Sequence, residues 1–217
     1  MTPTTPEQEQ VEAIKSALIA DLAGLQQVED QAAETLKRRR AETASAEREV
    51  ARFERAAALA NANAVETARL LKSAEVTAVL KTIESAANGE LDFGSFDQPD
   101  ELERQLQHEH RFIDRLHREF IPEAREQRLF ALEAEAEAEA ALIESEVAIR
   151  DYKFRLNLAP LAEMEGEVRI DDSVGITAGL RKKAAEIRLR ANSIHQQIVE
   201  GQQVRKNREI EEKRIGL

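Results

Sequence analysis

The chain has 217 residues, 42% of them apolar but only 4% aromatic, with no Trp, one Tyr, no Cys and a formal net charge of -11. An Ala-rich apolar fraction, 34% charged residues, eight Gly and five Pro are the signature of long helices and argue against one or two compact domains. The lack of Cys excludes a disulfide framework, a Cys-ligated metal and a Cys nucleophile, and the acidic balance argues against a specific nucleic-acid partner, whose phosphates need clustered positive charge.

The charge is uneven. Residues 181–217 hold ten Lys/Arg against five Asp/Glu, which leaves residues 1–180 at -16. Such asymmetry suits head-to-tail contact between subunits. Residues 1–5 are read as a flexible N-terminus without the basic region and apolar core of a signal peptide. No apolar run approaches the roughly 20 residues of a membrane span. Together these features predict a cytoplasmic protein, or one assembled into a virion or other particle, and argue against a membrane partner.

A first helix is predicted over residues 6–88. Thr5 can cap it, Pro6 suits its first turn, and Asn88-Gly89 supplies a Gly-type stop. At 1.5 Å per residue it would be roughly 120 Å long. One column steps by seven through Val11, Leu18, Leu25, Ala32, Arg39, Ala46, Phe53, Ala60, Thr67 and Ala74. A second column starts with Ile14 and Val28 and continues with Leu22, Leu36, Val50, Ala57, Ala64, Leu71 and Ala78. This is the pattern of a helix lying along a partner helix. The change of side and the polar interruptions at Asp21, Thr35, Arg39 and Glu42 suggest drift against a heptad and packing on more than one neighbour. The Ala-rich stretch 56–64 allows close approach of backbones. Lys37, Arg38, Arg39 and Arg40 point in all directions around the helix, so they form no flat phosphate-binding face. They read as solvated charge paired with Glu34 and Glu42, or alternatively as a contact for a partner's acidic surface.

Residues 89–99 form a connector, in which Phe93 and Phe96 either plug the end of a bundle or anchor a partner. A second helix is predicted over residues 100–158, kinked at Pro122. Its stripe is Leu102, Leu106, Ile113, Leu116 and Phe120, then Leu129, Leu132, Ala136, Ala140, Ile143, Val147, Phe154 and Leu158. The alternating Glu/Ala tract 133–140 mimics a strand, but both residues favour helix. Residues 159–177 are a second connector, with Val168, Ile170, Val174 and Ile176 able to form a short hairpin. A third helix over 178–215 carries Leu180, Ala184, Ile187, Ala191, Ile194 and Ile198. Gly201 continues that stripe, either as a close helix contact or as a weak point. The predicted fold is all-α, an extended long-helix hairpin or antiparallel three-helix coiled-coil-like bundle with the first helix as spine.

His110, Asp114 and His117 fall at i, i+4 and i+7, which puts two imidazoles and a carboxylate on one helix face, a metal-ligand pattern. The stretch His108-Glu109-His110-Arg111-Phe112-Ile113-Asp114-Arg115-Leu116 resembles, over about ten residues, the opening helix motif of hemerythrin-like domains. That resemblance implies further His and carboxylate ligands, including a later His-x-x-x-Glu. Here His195 is followed by Glu200, one residue too far. The bundle di-iron pattern of paired Glu-x-x-His motifs is approximated only by Asp114 to His117. The expectation is therefore no metal, no cofactor and no catalytic residue. There is no Gly-rich phosphate loop and no G-x-S-x-G either.

Three functions are compatible. The first is a non-enzymatic structural or assembly protein that homo-oligomerises or binds other protein subunits. Its composition is similar to that of viral scaffolding proteins and of rod-like parts of bacterial machines. The second is a membrane-surface or filament-forming remodeller similar to the long-hairpin phage-shock class, although the Thr/Pro/Glu/Gln-rich start lacks the amphipathic basic helix of that class. The third is a metal-binding bundle centred on His110 and His117.

Overall fold

A computed structural model describes residues 6–88, 97–158 and 173–215. All are helical apart from the closing turn at Asn88, and no strand occurs among the described residues. Helix α1 spans Pro6–Ala87, α2 Asp97–Arg115, α3 Ile121–Leu158 and α4 Ser173–Ile215; a π-helical turn, Leu116–Phe120, joins α2 to α3. The fold is all-α, with long helices. The chain divides into two compact units, Met1–Ser45 with Leu129–Leu217, and Ala46–Arg128.

In the first unit, α1 and α4 each present one narrow file. Along α1 the shielded positions are Leu18, Leu22, Leu25, Glu29, Ala32, Leu36, Arg39 and Thr43, at alternating steps of four and three. The expected change of side does not occur: Val28 is 53% exposed, and Glu29 and Thr43 hold the second column. Thr43 keeps its place because its hydroxyl donates to the Ala131 carbonyl of α3 at 3.2 Å, which satisfies a polar group in the seam. Along α4 the file is Thr177, Leu180, Ala184, Ile187, Ala191, Ile194 and Ile198.

Helix α3 differs. Ala136, Ala138, Ala140, Ile143, Ser145, Val147 and Ile149 are all buried, which covers more than one side of a 3.6-residue helix. Ala131, Ala138, Ser145 and Tyr152 stand seven residues apart. The first and last touch α1, since the Tyr152 hydroxyl lies 3.1 Å from the Leu18 carbonyl. On α4, Arg181 meets Asp151, Arg188 meets Glu144 at 2.7 Å and His195 meets Glu133 at 2.9 Å. Both α1 and α4 therefore run antiparallel to α3, and α3, not α1, is the central helix of this unit. The Glu/Ala tract makes this possible, because its Ala side chains are small enough to accept a neighbour on either side. Its Glu side chains reach outward to Arg40 at 3.6 Å and to His195.

In the second unit, α1 runs antiparallel to α2, the π turn and the start of α3. Glu47 pairs with Arg128 at 3.2 Å, Glu54 with Arg125 at 2.7 Å, and Thr67 donates to Glu109 at 3.2 Å. The α1 file continues through Ala46, Val50, Phe53, Ala57, Ala60, Ala64, Thr67, Leu71, Ala74 and Ala78. Opposite it stand Pro99, Leu102, Leu106, Glu109, Ile113, Leu116 and Phe120, again at steps of three and four. Pro122 does not break the chain. It has no N–H for the preceding turn, and the helix responds by widening: the Ile121 N–H donates to the Leu116 carbonyl, five residues back. The extra residue turns both Phe120 and Ile121 inward, where Ile121 joins Leu116 and Ala57 in the core and Phe120 stacks on Phe53 at 5.5 Å.

Val174 and Ile176 lie in α4, so the hairpin reading fails for them; the helix begins five residues before the predicted Ala178. Val168 and Ile170 are outside the described residues.

Candidate functional site

The metal candidates stand in the second unit on the outer face of α2 and the π turn. His110, Asp114 and His117 are all exposed. The carboxylate of Asp114 lies 4.0 Å from Arg118. Among the described residues no group of three or more His, Asp or Glu side chains is placed to hold a metal ion. His195 belongs to the other unit and faces Glu133, whose side chain is only 19% exposed.

The basic run of α1 is held by its neighbours. Lys37 lies 3.6 Å from Glu34, Arg38 lies 3.8 Å and Arg39 lies 2.7 Å from Glu42, and Arg40 reaches across to Glu135 of α3. The local pairing with Glu34 and Glu42 was legible from spacing; the crossing of Arg40 was not. Exposed pairs of this kind contribute about 0–1 kcal/mol each, so they set local side-chain order more than stability. Phe93 and Phe96 lie outside the described residues.

Two features were not anticipated. One is an open groove in the second unit of about 340 Å³, lined by Ala56, Leu59, Ala60 and Asn63 of α1 and His108, Glu109 and Phe112 of α2. Glu109 Oε1 accepts from Thr67 and Gln105, and its buried Oε2 has no donor among the described residues. The only hint in the sequence was the gap that Glu109 leaves between Leu106 and Ile113 in an otherwise apolar stripe.

The other is an apolar stripe on the side of α1 turned away from its seam. Val65 is 72% exposed, Val76 59%, Val79 50%, Leu80 55% and Ile83 59%. Arg69 interrupts this stripe and is tied to Glu66 at 2.7 Å; that hydrogen bond, then the attraction between the charges, holds the Glu66 carboxyl below its ordinary range. A cluster of large exposed apolar side chains, here Val76, Val79, Leu80 and Ile83, is the usual mark of an interaction surface. The signal was present in the sequence as a second file at steps of three and four, Val65, Arg69, Lys72, Val76, Val79 and Ile83, masked by its two cations.

No helix among the described residues is long and apolar enough to cross a membrane. Comparison with family models, with curated proteins and with solved structures finds no match to this chain.

Proposed function

We propose that this chain is a non-enzymatic structural or assembly protein that oligomerises through its long helices. It would serve as a viral or phage structural or scaffolding-type component or a rod-like part of a bacterial machine, in the cytoplasm or within the assembled particle. The observation that carries this reading is the exposed Val65–Ile83 stripe on a helix whose opposite face is already filled from within the chain. Apolar surface of that kind is stabilised by leaving water. The exposed placement of the metal candidates His110, Asp114 and His117, with Asp114 beside Arg118, supports the non-enzymatic part of the reading.

Light scattering combined with small-angle scattering tests it. The expected result is a mass above the 24.3 kDa of one chain. A single-chain mass with a radius of gyration near the roughly 17 Å of a globule of this length overturns it. Flotation with anionic vesicles discriminates the remodeller class: co-migration with the lipid would favour that class instead.

A further inference from the structure

We infer that the Val65–Ile83 stripe of α1 is a dimer interface on which a second copy of this chain docks antiparallel. This rests on the assembly reading above and specifies its surface, its partner and its orientation. Ala64, Thr67, Leu71, Ala74 and Ala78 are turned toward α2 and shielded, while Val65, Val76, Val79, Leu80 and Ile83 are each half exposed or more. With Arg69 and Lys72, the residues Val65, Val76, Val79 and Ile83 make a second file at alternating steps of four and three, flanked by Leu80, and that is the spacing by which a helix lies along another helix. From Val65 to Ile83 that file runs roughly 27 Å at 1.5 Å per residue.

Charge selects the occupant and its direction. A parallel in-register pair would set Arg69 on Arg69 and Lys72 on Lys72, which is repulsive. Antiparallel pairing about Val76 places Val76 beside its own copy and brings Ile83 and Glu84 to the level of the other copy's Arg69. There the arginine stem lies over Ile83, and the guanidinium, held by its own Glu66 through Nε and Nη2, turns its Nη1 edge to the Glu84 carboxylate. Antiparallel helices pair like flank with like flank, and Arg69, Leu80 and Glu84 share one flank of the file. The two-fold axis makes each such contact occur twice and closes the assembly at two copies.

The natural absence of Cys makes single-cysteine cross-linking a direct test on the full chain. Under mild oxidation Val76→Cys is expected to form a covalent dimer, because its Cα meets its own copy within disulfide range of about 7 Å. Arg69→Cys is not expected to, since antiparallel pairing separates the two positions by roughly 21 Å along the axis. Cross-linking of Arg69→Cys as readily as Val76→Cys would overturn the antiparallel pair. In light scattering, Val79→Glu with Ile83→Glu is expected to lower the mass from that of two copies to that of one, with helicity at 222 nm unchanged. If helicity falls, the cross-linking pattern decides alone. A wild-type oligomer that persists in the double variant overturns this interface and leaves the assembly function standing. A monomeric wild type overturns this interface, and one with a compact radius of gyration overturns the assembly function as well. A wild-type monomer that floats with anionic vesicles and ceases to do so in the double variant assigns the stripe to a lipid surface, and the inference falls.

Discussion

Replacing Leu116 by Ala tests whether the core of the second unit depends on the turn that Pro122 imposes. Leu116 is 2% exposed and is the largest fully buried side chain among the described residues. It sits in the π turn against Ala57 and Ile121, with Phe53, Ala56 and Phe120 packed around them. Truncating a buried Leu to Ala costs about 2–5 kcal/mol, less where the site can collapse. Here Phe53 and Phe120 are only partly buried, so they can shift into the space, and about 2–3 kcal/mol is expected. At 1.4 kcal/mol per factor of ten this is a loss of roughly 30- to 150-fold in protection. A global melt would average the two units, so the assay is native-state amide exchange read separately for residues 105–125 and for residues 136–149 of α3. The first set should lose protection by that factor and the second should not change. Leu116→Met, which nearly conserves volume, should cost less than about 1.5 kcal/mol. A loss below about 1 kcal/mol for Leu116→Ala, or equal losses in the two sets, would refute the reasoning, because the π turn would then not be where this core is held.

Gly24 and Gly201 lie in helices, and a Cβ added at either meets nothing within 4 Å; Gly24→Ala and Gly201→Ala should each stabilise by about 0.5–1 kcal/mol, read as a rise in urea midpoint, and a loss at Gly201 would restore the close-contact reading. Thr67→Val removes a donor to Glu109, which then keeps Gln105 alone, and should destabilise the second unit by about 1–3 kcal/mol in the same exchange experiment. The Tyr152 phenol is raised above its ordinary 10.0 first by burial and then by the charge and hydrogen bond of Asp21. A raised acid contributes stability that is fully present below pH 10 and lost as pH climbs through the folded value, so this contribution to wild-type stability should fall in that alkaline window. Tyr152→Phe should flatten that fall, and an unchanged profile would show that the phenol does not carry it. Elemental analysis should find no stoichiometric Fe or Zn; metal present and lost in His117→Ala would overturn the placement of His110, Asp114 and His117 as exposed side chains.

Local chemistry made the elements legible. Ala, Glu, Arg and Leu with few breakers dictate helix wherever they run on, and the seven-residue columns named the shielded files of α1 and α4 nearly residue by residue, from Leu36 through Ala57 to Ala78 and from Leu180 to Ile198. Periodicity reports which face of a helix avoids water, and for a helix with one neighbour that face is enough. It fails for a helix with two. The Glu133–Ala140 tract alternates with period two, which singles out no one face of a helix, so only the tertiary structure could show that α3 is central and that Glu133 and Glu135 are its outward links to His195 and Arg40.

The same limit explains the other differences. Val28 and Glu29 compete for one column of α1. Hydropathy favours the valine, yet the register set by Leu22, Leu36 and the Thr43 hydrogen bond to Ala131 leaves it in water. The sequence announced a disturbance at Pro122, since a missing N–H is a local fact. Whether the chain would kink, stop or widen into a π turn depended on how Leu116, Phe120 and Ile121 could reach Phe53 and Ala57, which is a fact about packing. What the sequence determined by itself was helix, length and shielded face. Which faces meet, and that the Val65–Ile83 stripe is left outside, was decided by the one register in which those files interlock.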